Sequence, residues 1–221
     1  MKSPLICPNR GLLPRAKGAR QAFLSRALTR LYPNAECALE YEGDPFRLLV
    51  MARLSAQCTD RRVNEISPAL FSRFPDAAAF AAAEQAELER YIFSTGMYRE
   101  KARQLIAMAR KLLSDFGGEV PSTQKELLSL PGVGTKIANL LLGDLFGQPA
   151  IVADTHMIRL SRRWGFSDSA DQHKVEAALE KVTPVADRAD FCHRAVLFGR
   201  EYCRAQSPAC DACPLFLSEE V

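Results

Sequence analysis

The stretch LPGVGTK, residues 130–136, sets a proline, two glycines and a lysine between two segments of helical pattern. Before it, TQKELLSL (123–130) opens with Thr-x-x-Glu, a capping signal for a helix N-terminus. After it, IANLLLGDLFG (137–147) is apolar with helical spacing. The pattern predicts a tight hairpin joining two helices. A plain connection can be built from many polar residues, whereas Gly132 and Gly134 remove the Cβ atoms that would hold another molecule's backbone away from the local amides. The amides of Gly132, Val133 and Gly134, with those of the helix that begins at Thr135, are expected as open donors. Such a set makes an anion site that fits a nucleic-acid phosphate. A glycine turn that only packs two helices is the plainer reading.

Outward from the hairpin, helical periodicity recurs over 17–32, 46–57, 60–74, 84–93, 99–116, 155–164, 174–182 and 191–203. Only PAIVA (149–153) has strand composition, and it is too short to found a sheet. The expected fold is all-α. The alanine-rich DAAAFAAAEQAELER (76–90) has the phase of one or two short helices packed through Phe80 and Leu88. Helices this short depend on tertiary packing.

With 221 residues and 48% hydrophobic content, the chain can bury one large core or two smaller ones. No apolar run approaches the roughly 20 residues of a membrane span, and no secretory h-region opens the sequence. The expectation is a cytoplasmic monomer, nucleoid-associated if bacterial. A net charge of +3 does not establish a nucleic-acid partner, but no acid precedes Glu36 while Lys and Arg recur. Acid-free, arginine-bearing N-termini also occur in transit peptides; here Phe23, Leu24, Leu28 and Leu31 stand at helical spacing, as in a folded basic helix.

Lys136 falls in the first turn of its helix, where the macrodipole disfavours a cation. One use for it is a phosphate contact. A sharper one is nucleophilic amine chemistry, because partial desolvation and a positive local field favour the neutral amine. Asp154 follows 18 residues later in VADTHMIRLSRRWGF (152–166) and reads as an N-cap. A capped carboxylate pointing out of a helix start also suits stabilisation of a cationic sugar, so both roles stand together. His156 either orients such a site or, the reading favoured, hydrogen-bonds a neighbour. Arg159, Arg162 and Arg163 suit phosphate contacts or a solvated face. Of the cysteines, Cys7, Cys37, Cys58 and Cys192 are scattered, while Cys203, Cys210 and Cys213 cluster as a metal or cluster site would.

LPGVGTK, IVADTH after it and Cys203-x6-Cys210-x2-Cys213 together resemble the endonuclease III family, bifunctional DNA glycosylases and abasic-site lyases of the helix-hairpin-helix superfamily. LLVMARLSAQCTDRRVN (48–64) looks like that family's helix and glutamine-bearing wedging loop, and FSTGMYREKA (93–102) like its second wedging loop. The resemblance implies a two-lobed helical protein with double-stranded DNA, damaged or abasic, in a cleft between the lobes. One lobe would be a helical barrel over 38–145 and the other 1–37 plus 146–221. It implies Lys136 as nucleophile, Asp154 as essential carboxylate, and Gln57, Met97, Gly132, Val133, Gly134, Thr135, His156 and Arg204 as DNA contacts. The implied reaction is removal of oxidised pyrimidines and cleavage of abasic sites by β-elimination through a lysine Schiff base.

Met97 stands where the family commonly has leucine, a change that preserves an apolar wedge. The family's [4Fe-4S] loop is Cys-x6-Cys-x2-Cys-x5-Cys, and here its fourth position is Glu219. Three readings remain: a cluster on three thiolates completed by Glu219 or Cys7, a degenerate loop without metal, or zinc. The rival functions are a monofunctional glycosylase, against which Lys136 argues, a non-catalytic helix-hairpin-helix DNA-binding module, and a redox protein.

Overall fold

Side-chain caps set most helix starts in this chain. The computed structural model describes residues 7–148 and 150–216. In order its helices are α1 Lys17–Leu31, α2 Pro45–Leu54, α3 Asp60–Arg73, α4 Ala77–Ala81, α5 Gln85–Ile92, α6 Tyr98–Phe116, α7 Gln124–Ser129, α8 Thr135–Phe146, α9 Thr155–Trp164, α10 Gln172–Glu180 and α11 Arg188–Glu201. Asp44, Thr59, Asp76, Thr123, Asp154 and Asp171 each accept from a first-turn amide of the helix that follows. Pro45 opens α2, where its missing N–H costs nothing. No strand occurs among the described residues; residues 150–153 are irregular, and Pro149 lies outside the described set.

The chain divides into two compact units, Cys37–Gln148 and the segments that flank it in sequence. In the first, α2 is buried nearly all round, with Leu48, Leu49, Val50, Met51 and Leu54 inaccessible to solvent. That follows from LLVMARL, which has only one polar side chain to offer to water. Each such leucine contributes about 1.5–3 kcal/mol relative to exposure. Helix α6 is one-sided and buries Ala102, Leu105, Met108, Ala109 and Leu112. Phe46, Phe71 and Phe74 surround Phe80 at ring separations of 5.4, 6.3 and 5.5 Å, which anchors the short α4. Pro68 sits inside α3 and has no N–H for the Asn64 carbonyl; the Ser67 hydroxyl donates to that carbonyl at 3.0 Å.

The second unit packs α1, α9, α10 and α11 around Leu24, Leu28, Met157, Leu160, Trp164, Phe191 and Phe198. The basic N-terminal helix is thus part of a core: Leu24 and Leu28 are fully buried, and Phe23 and Leu31 pack at its edge. Arg20 is buried too. It donates to the Trp164 and Gly165 carbonyls at 2.9 Å and so closes the C-terminus of α9. No helix among the described residues is long and apolar enough to cross a membrane.

Candidate active site

The hairpin forms where its sequence predicts. Thr123 accepts the Glu126 amide at 3.3 Å and its hydroxyl donates to the Glu126 carboxylate at 2.6 Å, so the Thr-x-x-Glu signal caps α7. The chain then turns through Leu130, whose carbonyl accepts the Val133 amide at 3.1 Å. Val133 is therefore not an open donor: the turn uses its N–H itself. The two glycines also divide their work differently from the expectation. Gly132 has φ +79, and a Cβ there would stand 2.5 Å from Gln104 Oε1 and 2.7 Å from Arg53 Nε. Its missing side chain makes room for the part-buried Arg53–Gln104 hydrogen bond of 2.7 Å, not for an outside backbone. Gly134 is the open one. It is the exposed N-cap of α8, nothing lies within 4 Å of its Cβ direction, and it supplies no side-chain cap. The amides at the start of α8 are left for another partner. Lys136 projects from that first turn, exposed and without a hydrogen bond or ion pair among the described residues.

Asp154 caps α9, its Oδ1 accepting the Met157 amide at 2.8 Å. It is half-buried, and Oδ2 accepts no hydrogen bond from the described residues. The helix behind it resolves the arginine question in a third way. Arg159 donates to the Cys203 carbonyl at 3.1 Å and to the Gly199 carbonyl at 3.0 Å. Buried Arg163 donates to the Cys203 carbonyl at 3.0 Å, the Cys203 Sγ at 3.1 Å and the Arg204 carbonyl at 2.8 Å. Arg162 donates to the Asp168 carbonyl. Arg159 and Arg163 serve the cysteine loop rather than a solvated face. His156 lies beside Arg159 at 3.1 Å. Burial pushes its imidazole below the ordinary value, with Asp154 opposing and Arg159 and Arg200 adding to the shift. A guanidinium can only donate, so this contact is a hydrogen bond when Nδ1 is unprotonated.

Helix α2 stops at Leu54, short of the predicted 57, and Gln57 in the following turn adopts φ +56. Met97 has φ +47. Side chains other than glycine pay about 1–3 kcal/mol for such conformations, which persist only where surroundings impose them. Both tips are exposed, Met97 at 54%. A residue the sequence reading did not single out holds them: Lys101, fully buried, donates to the Leu54 carbonyl at 2.8 Å and the Thr95 carbonyl at 2.7 Å. One ammonium thus anchors the loops that present Gln57 and Met97. A buried lysine is costly unless carbonyls or carboxylates meet it, so its presence in FSTGMYREKA was the available signal.

Residues 50–185 match the HhH-GPD superfamily of base excision DNA repair proteins. The endonuclease III of Synechocystis sp. is 43% identical over 201 residues, 90% of this chain and 91% of that one. A non-covalent endonuclease III–DNA complex has a similar structure, with a TM-score of 0.86, 40% identity and coverage of 90% and 92% of the two chains. A trapped endonuclease III–DNA covalent intermediate superposes with a TM-score of 0.85 at 40% identity, covering 90% and 93%. This chain belongs to the endonuclease III family.

An endonuclease III sequence raises the question of its cluster loop. Glu219 lies outside the described residues. Among those described, no group of three or more His, Cys, Asp or Glu side chains is arranged to hold a metal ion. The thiols are instead spread around one cavity, lined by Cys203, Cys210, Cys213 and also Cys7. All four are free. Burial pushes Cys213 up to about 11, and Cys7, Cys203 and Cys210 add to the shift, as thiols within electrostatic reach of one another do. A cubane spreads its ligands over separate corners, so thiols around a cavity suit it where thiols around a point suit one ion. The donor set fits an iron–sulfur cluster. Arg204, expected as a DNA contact positioned by this loop, is exposed and donates to the Ser207 carbonyl at 3.4 Å.

Proposed function

We propose that this endonuclease III family protein is a bifunctional base excision repair enzyme, with Lys136 as nucleophile and Asp154 as the carboxylate that stabilises charge on the sugar. The observation that carries the reading is an exposed amine, unpaired among the described residues, in the first turn of a helix whose N-cap is glycine. The uncapped amides attract a phosphate, and that contact sets a sugar beside the amine. The Lys136 nitrogen bonds to C1′ as the C1′–base bond breaks, and the base leaves with the electron pair and takes up a proton. Opening of the sugar ring gives the Schiff base. Loss of a C2′ proton then expels the 3′ phosphate, and water releases the lysine. Asp154, held by the Met157 amide, keeps one oxygen for the cationic sugar.

Gln57 and Met97 are the side chains we assign to the gap left by an extruded nucleotide, which costs least to extrude when its base is damaged. The substrate class is duplex DNA with oxidised pyrimidines or abasic sites. A duplex carrying thymine glycol, incubated with the protein and borohydride, should yield a covalent protein–DNA adduct. Lys136→Gln should abolish the adduct, and Asp154→Asn should lower it by on the order of 100-fold. Tight DNA binding without any adduct would remove the lyase step and leave a monofunctional glycosylase or a binding module.

A further inference from the structure

We propose that Cys7 supplies the fourth thiolate of an iron–sulfur cluster whose other ligands are Cys203, Cys210 and Cys213. The cysteine loop is one ligand short of the usual four. Cys7, almost two hundred residues earlier in the chain, lines the same cavity, whose wall includes Trp164 and Leu215 and no Asp, Glu or His. An ordinary core fills such a space with aliphatic side chains. Four thiols left facing a shared, largely apolar cavity match a soft-metal group instead.

The position of Cys7 is built rather than incidental. Its amide donates to the Arg163 carbonyl at 3.3 Å, and its carbonyl accepts the Arg10 amide at 3.0 Å, opening the 3-10 helix Pro8–Leu12. Asn9 Nδ2 donates to the Cys210 carbonyl at 3.3 Å, tying the segment to the loop it completes. Arg10 lies over Gly165, where a Cβ would stand 2.1 Å from its guanidinium, and Leu13 is buried in the core behind. Arg163 binds both partners at once: its carbonyl takes Cys7, and its guanidinium takes the Cys203 sulfur at 3.1 Å. An N–H aimed at a ligating sulfur stabilises the thiolate. Each thiol loses its proton to solvent as its sulfur binds iron. The circumstance is one of substitution: a ligand after Cys213 is replaced by one from the N-terminal segment, which these bonds already hold in place.

The inference rests on family membership and not on the lysine chemistry, so either can fail alone. The full chain should be purified without oxygen and assayed for iron, acid-labile sulfide and the visible sulfur-to-iron charge-transfer band. The wild type should hold about four irons and four sulfides. Cys7→Ala and Cys7→Ser should fall to about three irons or fewer and change the paramagnetic resonance spectrum, while Cys37→Ala and Glu219→Gln leave both unchanged. In the wild type itself, Cys7 should resist alkylation until a chelator strips the iron, a readout independent of any variant's folding. Full iron in both Cys7 variants, a Cys7 alkylated with iron in place, or a wild type holding zinc or no metal would each overturn the assignment. In those cases a Lys136 adduct that still forms would leave the proposed function standing.

Discussion

The hairpin around LPGVGTK and the loop around Cys203 are both short irregular connections presented by helices, yet they are held by opposite means. The hairpin is local. Its cap, its turn bond and its glycine conformations come from within residues 123–138; from elsewhere the Arg53–Gln104 pair reaches in, and Leu130 and Val133 sink into the core of the unit. The cysteine loop is held from far along the chain, by Arg159 and Arg163 on α9 and by Asn9 near the N-terminus. A connection that must stay open to a ligand is best stiffened by its own backbone, whereas one that encloses a group is best clamped from outside.

The comparison breaks first at Arg163. Removing its guanidinium takes the donor from the Arg204 carbonyl and from the Cys203 sulfur, and leaves the Cys203 carbonyl with Arg159 alone. Arg163→Met should cost about 3–4 kcal/mol in urea denaturation, with the loss concentrated in exchange protection of residues 198–210. A loss below about 1 kcal/mol would show that the loop holds itself, as the hairpin does. Gly132→Ala is the corresponding strike at the hairpin. It combines φ +79 with displacement of the Arg53–Gln104 bond, and should cost about 2–3 kcal/mol. If denaturation instead shows Gly132→Ala to be neutral, local backbone conformation does not hold this turn.

What the sequence disclosed follows the same division. The caps at Thr123 and Asp154, the positions of α7, α8 and α9, and the inward phase of Phe80 and Leu88 on their helices are all legible, because each depends on residues a few positions apart. The end of α2 was not: helical periodicity continues to Gln57, but Lys101 on α6 holds the Leu54 carbonyl and the chain turns there. Arg159 and Arg163 read as phosphate contacts or a solvated face because the carbonyls that receive them lie some forty residues on, which no periodicity records. Gly132 read as an opening for DNA because its true neighbours, Arg53 and Gln104, are equally remote in sequence.

Gly134 separates the two functions a hairpin glycine can have. Unlike Gly132 it has φ −103, which alanine adopts freely, and its Cβ direction is empty. Gly134→Ala should therefore shift stability by only about 0.5 kcal/mol, the difference between glycine and alanine at an N-cap. The same methyl would stand beside the first-turn amides of α8, where a phosphate is proposed to rest. Affinity for an abasic duplex, measured by fluorescence anisotropy at fixed salt, should fall on the order of tenfold, about 1.4 kcal/mol. A variant that melts like the wild type but binds tenfold more weakly assigns the open glycine to the ligand and the strained one to the fold. If it binds as tightly as the wild type, the phosphate does not sit on these amides, and the exposed Lys136 must reach its sugar from a backbone held elsewhere.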